Sequence, residues 1–160
     1  MKIIIFSITL FFLIISCKQG VVLKAQLHHS HCGGVPPTSE TKKGYHTEHE
    51  MDVTFVGNND SISMRIDGNR AVKLRPGNYR WYQGAKLAET TDFIEELRMR
   101  LDSNFVLQGG ATCIDEWKRK PDGEFSVNSN TDTIALTLKY RCYTGILPFP
   151  CMTYIGPIYQ

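Results

Sequence analysis

From Val21 to His28 apolar and polar side chains alternate, with Val21, Leu23, Ala25 and Leu27 set against Lys24, Gln26 and His28. That period of two belongs to a half-buried strand. His31-Cys32-Gly33-Gly34-Val35-Pro36-Pro37 then breaks the pattern, and the polar stretch Thr38 to Glu50 extends an expected irregular segment. Asp52 to Val56 and Ser61 to Ile66 read as short strands divided by the turn residues Gly57-Asn58-Asn59-Asp60, and Asp67-Gly68-Asn69 leads into a further strand, Ala71 to Leu74. Arg75-Pro76-Gly77-Asn78 suits a type II turn into Tyr79-Arg80-Trp81-Tyr82. Asp92 fits a helix N-cap with Glu95 three residues on. Phe93, Ile94, Leu97 and Leu101 form the apolar face, Glu96 and Arg100 face outward, and the helix is expected to end near Ser103-Asn104. Glu124 to Val127 and Thr131 to Tyr140 complete the strands. About seven short strands with turns every eight to twelve residues and one late helix predict an antiparallel β-sandwich.

The start of the chain follows another rule. Met1-Lys2 precedes an apolar run from Ile3 to Ile15 that ends at Ser16-Cys17. As a helix it would span roughly 20 Å, short of a bilayer core of roughly 30 Å, so a cleaved signal is expected in place of a membrane span. One basic residue, a short apolar core and a small residue before a cysteine resemble a bacterial lipoprotein signal, in which the cysteine becomes the acylated first residue. Residues 1–16 are then the signal peptide, 17–26 the lipidated N-terminus and start of the first strand, and 27–160 a single sandwich domain. The expected location is the cell envelope, held to a membrane by lipid on Cys17, and the absence of an acidic run in Lys18-Gln19-Gly20 favours the periplasm-facing side of the outer membrane.

Charge narrows the partners. Lys and Arg number 18 against 16 Asp and Glu in 160 residues, a formal charge of +2, and loss of Lys2 with the signal leaves +1. So weak a field does not hold a polyanion, and nucleic acid is excluded as a main partner. With Cys17 assigned to lipid, four cysteines remain in an oxidising compartment as disulfide candidates: Cys32, Cys113, Cys142 and Cys151. Three pairings are open. The turn-rich stretch Tyr143 to Pro150 makes Cys142 to Cys151 the cheapest closure, which would leave Cys32 with Cys113. No C-x-x-C is present, which disfavours structural zinc.

Three clusters carry two readings each. All five histidines fall in His28, His29, His31, His46 and His49. Of these, His29, His31, His46 and His49 are the candidate ligands of a Cu²⁺ or Zn²⁺ site, if the segment folds back, and otherwise they belong to a solvated polar loop. Tyr79, Trp81 and Tyr82 suit either a stacking platform for sugar or peptide or the core of a small sandwich, where large rings are needed. Lys118-Arg119-Lys120 before Pro121-Asp122-Gly123 suits anionic headgroups or plain solvation.

Val72-Lys73-Leu74-Arg75-Pro76-Gly77-Asn78-Tyr79 resembles the L-x-P-G-x-Y turn of transthyretin-like, or prealbumin-like, sandwiches, including carboxypeptidase regulatory-like domains. Three further blocks sharpen the resemblance: His31-Cys32-Gly33-Gly34-x-Pro36, the run Cys113 to Asp122, and Cys142 with Pro150-Cys151-x-x-Tyr154-x-Gly156-Pro157. Together they resemble lipid-anchored envelope proteins of Bacteroidota-type bacteria with a prealbumin-like domain and no settled function. The blocks are scattered from about Leu27 to Pro157, and the His-rich spacer Thr38 to Glu50 has no counterpart in that pattern. The resemblance implies location and fold and brings no active site. A transthyretin-like enzyme that opens a purine-derived ring ends in Tyr-Arg-Gly-Ser, and Tyr154-Ile155-Gly156-Pro157 lacks both functional side chains. Nucleophile elbows, H-E-x-x-H and phosphate-cradling loops are also missing from the sequence. The expectation is therefore a binding or structural module of the envelope, not an enzyme, whose partner is an envelope protein or a glycan.

Overall fold

The computed structural model describes residues 18–32, 36, 38–57, 60–100, 104–140 and 151–156. The expected signal peptide 1–16, Cys17, Cys142 with the stretch Tyr143 to Pro150, and the expected helix end at Leu101 to Ser103 lie outside them. No described helix is long and apolar enough to cross a membrane.

The alternation starting at Val21 produces the longest strand, β1 (Gln19–His29), with Val21, Leu23 and Ala25 buried on one side. The spacer after it contains β2 (Tyr45–Glu48), where an irregular segment was expected. β3 (Met51–Val56) and β4 (Ser61–Ile66) form the expected hairpin, and β5 (Asn69–Leu74) and β6 (Gly77–Gln83) follow. The chain continues through helix α1 (Thr90–Arg100), β7 (Phe105–Leu107), helix α2 (Gly110–Arg119), β8 (Gly123–Val127), β9 (Thr133–Tyr140) and β10 (Met152–Tyr154).

β1 is the hub of a mixed sheet. Its first half, Gln19 to Lys24, pairs antiparallel with β5, and its second half, Gln26 to His29, pairs antiparallel with β2. β9 runs beside Val22 to His29 in parallel, overlapping both registers, so β5 and β2 lie end to end on the opposite edge. The all-antiparallel expectation fails here. A parallel neighbour requires a long crossover, and the whole of β2 to β8 supplies it. The second sheet is antiparallel throughout, in the order β4, β3, β6, β8.

One hydrophobic cluster draws on both sheets. Leu23, Leu74, Leu136 and Leu138 of the mixed sheet join Val53, Phe55, Ile66 and Val127 of the antiparallel one. Burying each such side chain contributes about 1.5–3 kcal/mol. Tyr79 and Trp81 belong to this core and form no surface platform; Trp81 is 3% exposed. Tyr79 stacks on Phe125 with centroids 5.3 Å apart, and its hydroxyl donates to the Arg75 carbonyl at 2.9 Å, which fastens the Pro-Gly turn to the strand that leaves it. Gly123 sits across from Trp81, where a Cβ would lie 2.5 Å from the indole nitrogen, so glycine is needed for the indole to lie flat against the neighbouring strand.

A second cluster lies between the helices and the β7–β10 pair: Phe93, Leu97, Ile114, Cys151 and Met152, with Trp117 packed on it. α1 begins two residues before the expected Asp92 cap, and the Phe93 amide donates to the Glu89 carbonyl. α2 was not expected. Its N-cap is Gly109, left-handed at φ 74° and offering no side-chain cap, and Gly110 opens the helix, so the usual start signal of Ser, Thr, Asp or Asn is missing.

A buried ion pair joins the helical layer to the antiparallel sheet. Lys86 Nζ lies 2.9 Å from Asp122 Oδ1, with the two side chains 3% and 9% exposed. Lys86 also donates to the Lys120 carbonyl at 2.6 Å and stands 4.9 Å over the Trp117 ring. Asp122 accepts from the Gln83 backbone N–H at 2.7 Å, and its own N–H donates to the Trp81 carbonyl. The basic run is therefore not simply solvated. Lys118 Nζ bonds the Ala88 carbonyl and lies 3.2 Å from Thr90 Oγ1, at the start of α1. Removing one member of such a pair leaves a buried charge without its partner, at a cost of about 3–5 kcal/mol. Asp122→Ala is expected to lower the unfolding free energy by that amount in urea titration, and a loss below about 1 kcal/mol would show that water already screens the pair.

Candidate functional site

β1 outruns the core. Beyond Leu27 its alternation places His29 on the inward side, in line with Val21, Leu23 and Ala25, and His28 on the outward side. At the level of His29 the neighbouring strands present Tyr45 from β2 and Tyr140 from β9. The imidazole lies flat on Tyr45, centroids 4.7 Å apart and 4° between planes, and against Tyr140 at 4.6 Å and 32°. Its Nε2 is 2.8 Å from Thr47 Oγ1, which fixes the ring in its plane. Three rings from three adjacent strands thus form a layer beyond Leu27 and Leu138.

These rings floor a cleft of about 520 Å³ whose described walls include Ser30, His31, Glu40 and Gly44. Gly44 lets the chain turn back into β2: it has φ 65°, and a Cβ there would strike the His29 carbonyl oxygen. Tyr45 keeps 62% of its surface exposed although it stacks on His29. A second cleft of about 420 Å³ lies on β6 and β8 near Arg80 and Glu124, and there Ser126 Oγ already donates to Asn78 Oδ1 at 2.6 Å.

The four expected metal ligands do not all share one face of the sheet. His46 pairs across the sheet with His28, ring centroids 4.7 Å apart, on the face opposite His29. His31 lies past the end of β1 in the cleft wall, and His49 follows β2, where its N–H donates to the Ala25 carbonyl. The register separates His46 from His29, because adjacent residues of a strand point to opposite faces. Among the described residues no group of three or more His, Cys, Asp or Glu is placed to hold a metal ion. The Nδ1 of His28 is buried with no hydrogen-bond partner among them, and Lys139 of β9 stands level with it.

The cysteines correct the expected pairing. Cys113 bonds Cys151, with Cα atoms 5.6 Å apart, so neither Cys142 to Cys151 nor Cys32 to Cys113 forms. The reason is the unexpected helix: α2 and the β7–β10 pair share the second cluster, and both half-cystines are part of it. Cys32 is disulfide-bonded as well, and the cysteines left to pair with it, Cys17 and Cys142, lie outside the described residues.

Sequence reasoning named His29 and His31 only as candidate metal ligands, together with His46 and His49, and missed the ring layer of His29 with Tyr45, Thr47 and Tyr140. Tyr140 was legible as the next inward position after Ile134, Leu136 and Leu138. Tyr45 carried no signal, because β2 is exposed at every position and has no apolar alternation. Comparison with family models, with curated proteins and with solved structures finds no match to this chain.

Burial holds the His49 imidazole below its ordinary value of 6.5, and the Glu50 carboxylate opposes part of that shift. The unfolded chain therefore takes up a proton near 6.5 that the folded chain still refuses. In the window just below 6.5 the unfolded state binds more protons, so stability falls as pH falls. Urea midpoints measured across that window should decline for the native chain and decline less for His49→Gln; equal slopes would remove His49 as the cause.

Proposed function

We propose that the chain is a lipid-anchored module of the cell envelope, a β-sandwich of prealbumin-like type that binds a partner at the cleft beyond His29. The Cys113–Cys151 bond carries the reading of compartment, because a stable structural disulfide belongs to an oxidising environment such as the periplasm or cell surface. The apolar run ending at Ser16-Cys17 supplies the signal and the acylation position. Several acyl chains there, at about 0.8 kcal/mol per buried methylene, hold a protein to a bilayer without a membrane-binding surface on the domain.

The position of β1 gives this reading a geometry. Gln19 stands two residues after Cys17, so almost no linker separates lipid from fold. Eleven residues at about 3.3 Å each carry the strand about 36 Å to His29. The anchored end of β1 faces the bilayer and the ring-lined cleft faces away from it, toward a soluble or wall-bound partner. The absence of catalytic motifs in the sequence favours binding over chemistry, since loops and strand ends are what such a scaffold offers.

Growth with an alkyne fatty acid should label the protein and place it in the membrane fraction. Cys17→Ser should abolish the label and block maturation. A mature, soluble and unlabelled wild-type chain would overturn the anchoring.

A further inference from the structure

We infer that the cleft beyond His29 is a carbohydrate site that seats an uncharged sugar ring on Tyr45; this rests on the binding role proposed above and names its ligand class. Tyr45 occupies an outer strand of its sheet, its ring backed by His29 at 4.7 Å and nearly parallel, with more than half of the residue still open to solvent. An exposed aromatic ring is usually mobile. This one is held by the stack behind it, and His29 is held in turn by Thr47 and Tyr140. A platform ordered before the ligand arrives loses little freedom on binding.

The chemistry of the walls selects the ligand. The face of a tyrosine ring is electron-rich, and the C–H face of a pyranose is weakly positive and apolar, so the two stack. Around the rings stand Ser30, Glu40 and His31. These are hydrogen-bonding groups suited to hydroxyls. Among the described lining residues the one with a formal charge is the acidic Glu40, which disfavours an anionic ligand against the rings. The volume of about 520 Å³ lies in the usual range of small-molecule sites. Two tyrosine rings beside a few polar groups match a short stretch of neutral glycan, whose ring faces stack while its hydroxyls hydrogen-bond. The cleft also sits at the end of β1 away from the acylated terminus, where a polysaccharide can reach it.

The test uses the full mature chain, purified from membranes in detergent, and calorimetric titration with β-1,4-linked hexaoses of glucose, N-acetylglucosamine and xylose. Gly-Trp-Gly and choline serve as probes for an aromatic peptide and a cation. At least one hexaose should bind one to one. Tyr45→Ala should weaken it about tenfold or more, while Tyr45→Trp stays within about threefold and Glu40→Gln falls between. Since Tyr45 is exposed, unchanged thermal midpoints and near-ultraviolet dichroism of the core Trp81 will confirm that each variant is folded. Failure of all three hexaoses at about 5 mM, binding indifferent to Tyr45→Ala, or binding of only Gly-Trp-Gly or choline would each overturn the sugar site. An acylated, membrane-bound chain that ignores sugars refutes this inference alone, whereas a soluble unlabelled chain that binds them refutes only the anchoring.

Discussion

β1 must satisfy three neighbours at once. Its inward residues Val21, Leu23 and Ala25 fill the core while its edges pair with β5, β2 and the parallel β9. A slip of one residue against these partners would turn Lys24, Gln26 and His28 inward and drive the apolar set into water, so the register is tightly specified. The same register decides what stands at the end of the strand. Because Leu23 and Leu136 face inward, His29 and Tyr140 do as well, and the ring layer is the continuation of the core pattern past the point where the core stops. Site and core are one alternation read to its end.

The helical layer is attached differently. It has its own cluster, and two specific bonds secure it where the sheets rely on area. The Lys86–Asp122 pair ties the turn after β6 to the segment between α2 and β8. The disulfide ties α2 to the residue before β10. A short helix opening on Gly109-Gly110 has little propensity of its own, and such a helix persists only with tertiary support of this kind.

That division explains what the sequence shows and what it conceals. The seven strands read from Val21, Asp52, Ser61, Ala71, Tyr79, Glu124 and Thr131 are all present, most of them alternating between a buried and an exposed face, although β3 also buries Thr54. β2 was hidden because all four of its residues are exposed, and β7 and β10 because three-residue strands are too short to show a period. The parallel course of β9 is a property of long-range connection, which no local pattern encodes. Cys113 and Cys151 meet because of α2, so an argument from loop length alone chose a different partner for Cys151. The histidine cluster was visible as composition, but only the register separates His29 with its tyrosines from His28 with His46.

The functional proposal depends on the direction of β1 relative to a membrane. Gly20, near the end proposed to carry the lipid, pairs with Lys73, whereas Lys43 lies beside the cleft, next to Gly44. Both lysines are exposed and suited to a small fluorophore. The decisive measurement places the acylated chain in liposomes that carry a headgroup-attached quencher and labels one position at a time. Strong quenching at position 73 and little at position 43 is the predicted result. Equal quenching, or the reverse order, would contradict a cleft that faces away from the bilayer.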